Sequence, residues 1–113
     1  MITVRLRRGP YGIPVAEVEA PCEFLGEFLT VEGGSLDSWA CEDLLSVAQE
    51  IRNGDTKEFH RAGDAHTVTV TTSGVLIQSE YREPPAQCEL SLEGFVTAIQ
   101  KWKALLKQHS RRK

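Results

Sequence analysis

The chain has 113 residues, 41% of them hydrophobic, which suits one domain. Two domains are not expected, because each hydrophobic core would then come from fewer than about 60 residues, which is marginal without metals or disulfides. Its net charge of -3 argues against nucleic acid as the partner. No stretch approaches the roughly 20 apolar residues that cross a bilayer, and the amino terminus lacks a signal-peptide core, so we expect a cytoplasmic protein without a membrane partner.

The N-terminal part of the chain predicts a hairpin and then a further extended segment. Polar and apolar residues alternate over 2–7, which is the period of a half-buried strand. Residues 9–12 supply turn chemistry, and the return strand is predicted over 13–18. A further extended run is predicted over 24–31, where it stops before a pair of glycines.

The central part of the chain predicts one helix. Ser35 or Asp37 can cap it, and Gly54 lies just past its end, where glycine commonly takes the left-handed conformation. The apolar residues of this segment recur at helical spacing and are Leu36, Ala40, Leu44, Val47, Ala48 and Ile51.

A second hairpin is predicted after this helix. Residues 59–61 and 65–72 are predicted to be extended, and the second of these segments is rich in β-branched residues. Ser73 and Gly74 can turn the chain into a strand over 75–77.

The C-terminal part of the chain predicts a second helix capped by Ser91. Residues 109–113 are predicted to be a frayed tail of the single domain 1–113. The order strands, helix, strands, helix favours an α+β fold, with an antiparallel sheet and both amphipathic helices packed on one face. The apolar stripe of the last helix consists of Leu92, Phe95, Val96, Ile99, Trp102 and Leu106.

No motif in the sequence predicts catalysis. Three cysteines without a Cys-x-x-Cys pair argue against a disulfide framework and a thiolate zinc site, and favour buried reduced thiols. The glycines match no nucleotide-binding pattern. His60 and His66 flank Asp64 and could form a zinc site or an acid/base pair, but surface or strand-capping roles are favoured. We therefore predict a protein that is not an enzyme and has no cofactor and no metal.

Charge is strongly segregated along the sequence. Between Glu17 and Ile51 there are nine carboxylates and no Lys or Arg. Two interpretations are open: a solvated strand edge and helix face, or a recognition surface for a basic protein. The second would also need aromatic anchors, for which Tyr11, Trp39 and Tyr81 are candidates.

Residues 26–107 resemble the YacL-like family of small bacterial proteins. The resemblance is carried by the helix end Ile51-Arg52-Asn53-Gly54, the step Phe59-His60-Arg61-Ala62-Gly63, the hairpin around Gly74-Val75-Leu76-Ile77 and the helix start Leu90-Ser91-Leu92-Glu93-Gly94-Phe95. Proteins of this kind are similar to some CdiI immunity proteins of contact-dependent growth inhibition systems, which bind the C-terminal toxin domain of the matching CdiA.

The resemblance implies a cytoplasmic inhibitor without a cofactor. Many toxins of this class are nucleases with basic clefts, which an acidic surface could occlude. We expect a monomer or weak homodimer, and the alternative is a YacL-like housekeeping or regulatory protein with another partner. A small enzyme built on the histidines is a third hypothesis. The predicted toxin-binding residues are Glu27, Glu32, Trp39, Glu42, Asp43 and Glu50.

Overall fold

A computed structural model describes residues 3–19, 23–79 and 86–111. Its strands and helices are, in chain order, β1 (Val4–Arg8), β2 (Pro14–Val18), α1 (Glu23–Glu32), α2 (Trp39–Asn53), β3 (Glu58–Ala62), β4 (His66–Thr71), β5 (Gly74–Ser79), β6 (Gln87–Leu90) and α3 (Leu92–Arg111). A short 3-10 turn, Pro10–Gly12, joins β1 to β2.

The strands form two antiparallel sheets. β1 pairs with β2, and the other four strands form a sheet in the order β3-β4-β5-β6. The predicted α+β class and antiparallel pairing are confirmed. The structure adds a third helix, and it divides the predicted single sheet into two.

The third helix corrects the prediction of an extended segment over 24–31. Leu25, Phe28 and Leu29 are buried at the spacing of one helix face, which fits α1 and not the period of two expected for a strand. α1 packs closely on β2, since a Cβ at Gly26 would lie 2.8 Å from the carbonyl oxygen of Ala16. The hydroxyl of Thr30 accepts the N–H of Ala16 at 2.8 Å and completes this contact.

The other predicted helices are confirmed, with small changes at their ends. Gly54 takes the left-handed conformation (φ 83°) just past α2, as expected. The cap position of α2 is Ser38, not Ser35 or Asp37. The Ser91 hydroxyl accepts the N–H of Gly94 at 2.9 Å at the start of α3. α3 continues through Arg111, so the predicted frayed tail is helical over 109–111, and residues 112–113 lie outside the described part.

The main core lies between the four-stranded sheet and the helices. Residues at alternate positions of β4 and β5, such as Val68, Val70 and Ile77, are buried on the helix side of the sheet. Thr67 and Thr69 lie on the opposite, outer face, where they are partly exposed. None of the described helices is both long enough and apolar enough to cross a membrane.

Two of the three cysteines are described, and both are buried free thiols, Cys41 and Cys88. Burial raises the pKa of the Cys41 thiol because it disfavours the thiolate. This agrees with the prediction of buried reduced cysteines for these two positions, and Cys22 lies outside the described residues.

Candidate functional site

The last residue of α1, Glu32, holds the turn between β3 and β4. Its carboxylate accepts the backbone N–H groups of Asp64 at 2.9 Å and Ala65 at 2.8 Å. It also contacts the Nδ1 atom of His66 at 2.9 Å. Only 3% of Glu32 is exposed, so a charged group is used inside the fold to connect a helix to a hairpin.

His66 lies between two carboxylates in the core. Its Nε2 atom is 2.8 Å from Oε2 of Glu27, opposite the contact of Nδ1 with Glu32. The rings of Phe24 and Phe28 lie 5.3 and 5.7 Å from the imidazole. We call Glu27, Glu32 and His66 the buried cluster.

The pKa of Glu32 is held below its ordinary value. Burial is the largest single influence and raises this pKa, but the hydrogen bond with His66 and the N–H groups of Ala65 and Asp64 together outweigh it. The carboxylate is therefore ionised in the folded protein at neutral pH.

The Arg61-Ala62-Gly63 step lies directly against the buried cluster. A Cβ at Gly63 would overlap Oε1 of Glu32 and would lie 2.7 Å from Cζ2 of Trp39, so only glycine fits. The Arg61 guanidinium stacks 4.5 Å from the centre of the Trp39 ring and pairs with Asp43 at 2.8 Å. These contacts join the end of β3 to the first turns of α2.

The structure separates the predicted toxin-binding residues into two groups. Glu42, Asp43 and Glu50 are exposed on α2, and we call these three the acidic helix face. Trp39, beside them, is partly buried. The carboxylates of Glu27, 33% exposed, and Glu32 belong to the buried cluster.

The prediction of Glu32 as a contact residue is therefore corrected, because its carboxylate is enclosed and fully engaged inside the fold. A sequence signal for this burial exists. In a helix, Glu32 continues the stripe of Leu25, Phe28 and Leu29 at the spacing i, i+3, i+4, i+7. This spacing has no meaning in a strand, so the prediction of an extended segment over 24–31 did not indicate that Glu32 is buried.

The acidic run of the sequence is not one surface in the fold. Glu17 and Glu19 lie on or just after β2 and pair with arginines of β1. The distances are 3.8 Å from Arg7 to Glu17 and 3.1 Å from Arg5 to Glu19. Charges that are more than nine residues apart in sequence thus become neighbours, and the interpretation of a solvated strand edge applies to this hairpin.

The histidines do not come together. His60 lies on the outer face of the sheet opposite Thr69, which it contacts at 3.0 Å, and it also pairs with Glu58. His66 is 1% exposed on the opposite, core side. The described residues form three surface clefts, and none of these clefts is lined by His60, Asp64 or His66. In the described part of the chain, no group of three His, Cys, Asp or Glu residues could hold a metal ion.

The other two candidate aromatic anchors are Tyr11 and Tyr81. Tyr11 is fully exposed at the tip of the first hairpin, where its φ of 61° is unusual for a residue other than glycine. Tyr81 lies outside the described residues.

Comparison with known proteins gives no match to any family model, curated protein or solved structure. The resemblance to the YacL-like family stays a prediction based on the residues quoted above.

Proposed function

We propose that this protein is an immunity protein that binds the C-terminal toxin domain of a CdiA-type effector and neutralises it. The observation that carries the proposal is the acidic helix face. Asp43 and Glu50 are seven residues apart, about two turns of α2, and Glu42 lies within about 100° of both around the helix axis. In the described part of the chain, only Asp43 of these three forms an ion pair.

The acidic helix face has the charge that a basic nuclease cleft would recognise. Carboxylates can compete with phosphate for lysine and arginine side chains, and they accelerate the encounter of oppositely charged proteins. Charge alone rarely gives tight binding, and the partly buried Trp39 next to Asp43 is a suitable anchor at the rim of this face. The buried cluster holds α1 against the β3–β4 turn, and the Trp39–Arg61 contact extends this support to α2.

The test is a comparison of two charge-reversal pairs from the same acidic run. The double variant Glu42→Lys/Glu50→Lys should bind the toxin domain encoded immediately upstream roughly a hundredfold more weakly than the wild type. Each reversed charge at a close contact lowers the affinity by on the order of a factor of ten. Glu17→Lys with Glu19→Lys makes the same change of net charge on the first hairpin and should leave binding within about threefold of the wild type. Calorimetry at low salt and survival of cells that express the toxin are the two measurements.

Each outcome is informative. If the wild-type chain neither forms a complex with this toxin domain nor prevents killing, the immunity proposal is wrong and the housekeeping or regulatory alternative takes its place. Equal weakening by both pairs would mean that net charge acts without a defined face. Circular dichroism of all variants verifies that the fold is retained.

A further inference from the structure

Among the described residues, β3 is an edge strand with no strand paired on its outer side. It is terminal in the order β3-β4-β5-β6, and four of its five residues are exposed. The N–H of Gly63 donates to the carbonyl of His66 at 2.7 Å, which closes the β3–β4 hairpin. Since hydrogen-bonded and non-hydrogen-bonded pairs alternate in an antiparallel ladder, Phe59 and Arg61 bond to β4. The N–H and C=O groups of Glu58, His60 and Ala62 therefore point away from the sheet.

The β4–β5 hairpin indicates independently which residues of β3 form hydrogen bonds with β4. Thr71 and Gly74 close the two-residue β4–β5 turn, so the backbone of Thr71 bonds towards β5 and not towards β3. Thr71 lies opposite Glu58, whose backbone groups must then face the free edge. Two separate turns thus agree on which backbone groups of β3 face away from β4.

The edge lacks two of the usual structural blocks against a further strand, a β-bulge and a proline. The register between β3 and β4 is continuous from Glu58 to Ala62 without a bulge, and the strand contains no proline. Outward N–H and C=O groups at alternate residues are the template that an added strand requires.

The charges around the edge indicate which kind of strand fits. In β3 and in the turns at its two ends lie three carboxylates, Asp55, Glu58 and Asp64, and two cations, Lys57 and Arg61. Asp43 is placed at this edge by its 2.8 Å contact with Arg61. The surplus of negative charge favours a basic segment. It opposes pairing with a second copy of the chain, which would bring two such edges together.

We propose that the free edge of β3 binds an extended, basic segment of the partner protein as a fifth strand of the sheet. This rests on the proposed function and specifies how the toxin domain is held. Backbone hydrogen bonds to Glu58, His60 and Ala62 supply affinity, and basic side chains at alternate positions of the segment meet the carboxylates.

A proline at the centre of the edge tests the proposal. His60→Pro removes an outward N–H, and a proline is tolerated there in the free protein because this N–H faces solvent. Binding of the upstream-encoded toxin domain should weaken by at least about thirtyfold in His60→Pro, since a central ladder contact is lost and the ring obstructs the added strand. His60→Ala also removes the imidazole but keeps the N–H, and it should bind at least tenfold more tightly than His60→Pro. Thermal unfolding of both variants measures any loss of fold.

Amide hydrogen exchange measured by NMR gives a second readout that needs no variant. In the free protein the amides of Phe59 and Arg61 should be protected, whereas those of Glu58, His60 and Ala62 exchange fast. Addition of the toxin domain should slow the second set by at least about tenfold.

The outcomes separate the two proposals. If the toxin domain binds the wild type, His60→Pro and His60→Ala equally, strand addition at β3 is wrong and the immunity function still stands. If the wild type does not bind at all, the immunity proposal is the one that fails, and strand addition by this toxin fails with it. If protection of Glu58, His60 and Ala62 rises with protein concentration in the absence of toxin, a second copy occupies the edge and the basic-segment proposal is overturned.

Discussion

At the scale of single residues, three glutamates of α1 have different environments although they look alike in sequence. Glu23 is exposed, Glu27 is one-third exposed, and Glu32 is enclosed by the β3–β4 turn. The difference follows from the position of each residue around the helix, because Glu32 lies on the apolar side that faces the core. Burial is tolerated there since each oxygen of the carboxylate has a hydrogen-bond partner.

Glu32→Gln should destabilise the fold by about 2–4 kcal/mol at pH 7, because a neutral amide replaces the buried carboxylate that contacts His66 and accepts the N–H groups of Asp64 and Ala65. The pKa of Glu32 is lower folded than unfolded, so this stabilisation is fully present above about 4.5, the ordinary value of the group, and is lost as pH falls through the lowered pKa. Urea unfolding at pH 7, 5 and 3.5 should show that the difference in unfolding free energy between wild type and variant becomes smaller only below about pH 4.5.

Glu27→Gln is the matched control, since Glu27 contacts the other nitrogen of the same ring from a partly exposed position. It should cost less than Glu32→Gln at pH 7. A Glu32→Gln effect that is unchanged between pH 7 and 3.5 would contradict ionisation of Glu32 as the source of the stabilisation.

At the scale of elements, the two longer helices begin in different ways. Ser91 caps α3 with its hydroxyl, which accepts a backbone N–H of the first turn. Ser38 occupies the same position before α2, but its hydroxyl donates to the carbonyl of Ser35 at 2.7 Å and makes no cap hydrogen bond. The same residue type therefore stabilises a helix start in one case and a preceding turn in the other.

Ser91→Ala should destabilise the protein by about 1 kcal/mol, the usual cost of losing a cap hydrogen bond. Ser38→Ala, at the equivalent position of α2, should cost less because no N–H of that helix loses its partner. Thermal unfolding of the two variants in parallel checks the prediction, and equal losses would contradict the assigned difference between the caps.

At the scale of the whole molecule, the carbonyl of Gly33 connects parts of the chain that are far apart in sequence. The indole N–H of Trp102 on α3 donates to it at 2.7 Å, and the Cys41 thiol on α2 donates to it at 3.4 Å. Trp102 is fully buried. The segment between α1 and α2 is thereby attached to the C-terminal helix.

Trp102→Phe should lower the free energy of unfolding by about 2–4 kcal/mol, because it loses this buried hydrogen bond and leaves a cavity. Trp39→Phe removes the same atoms from a partly buried ring and should cost less. Guanidinium unfolding followed by far-UV circular dichroism measures both. An unchanged slope with denaturant would show that the whole domain still unfolds as one unit.

Much of the fold follows from local pattern. The alternation in β1, the turn before β5, the Ser91 cap and the left-handed Gly54 each depend on a few adjacent residues, so a single sequence contains the information needed to predict them. The segment over 24–31 is the exception. Its short apolar run is compatible with a strand or a helix, and packing on β2 favours the helix.

The environments of the charged residues depend on contacts between distant parts of the chain. The acidic run from Glu17 to Ile51 is uniform in sequence, yet its carboxylates pair with arginines of β1, with His66, or with Arg61, and others face solvent. The sequence specifies which residues carry charge. The solvation and partners of each charge arise only when strands and helices from both halves of the chain pack together, because electrostatic interactions depend on distance in space.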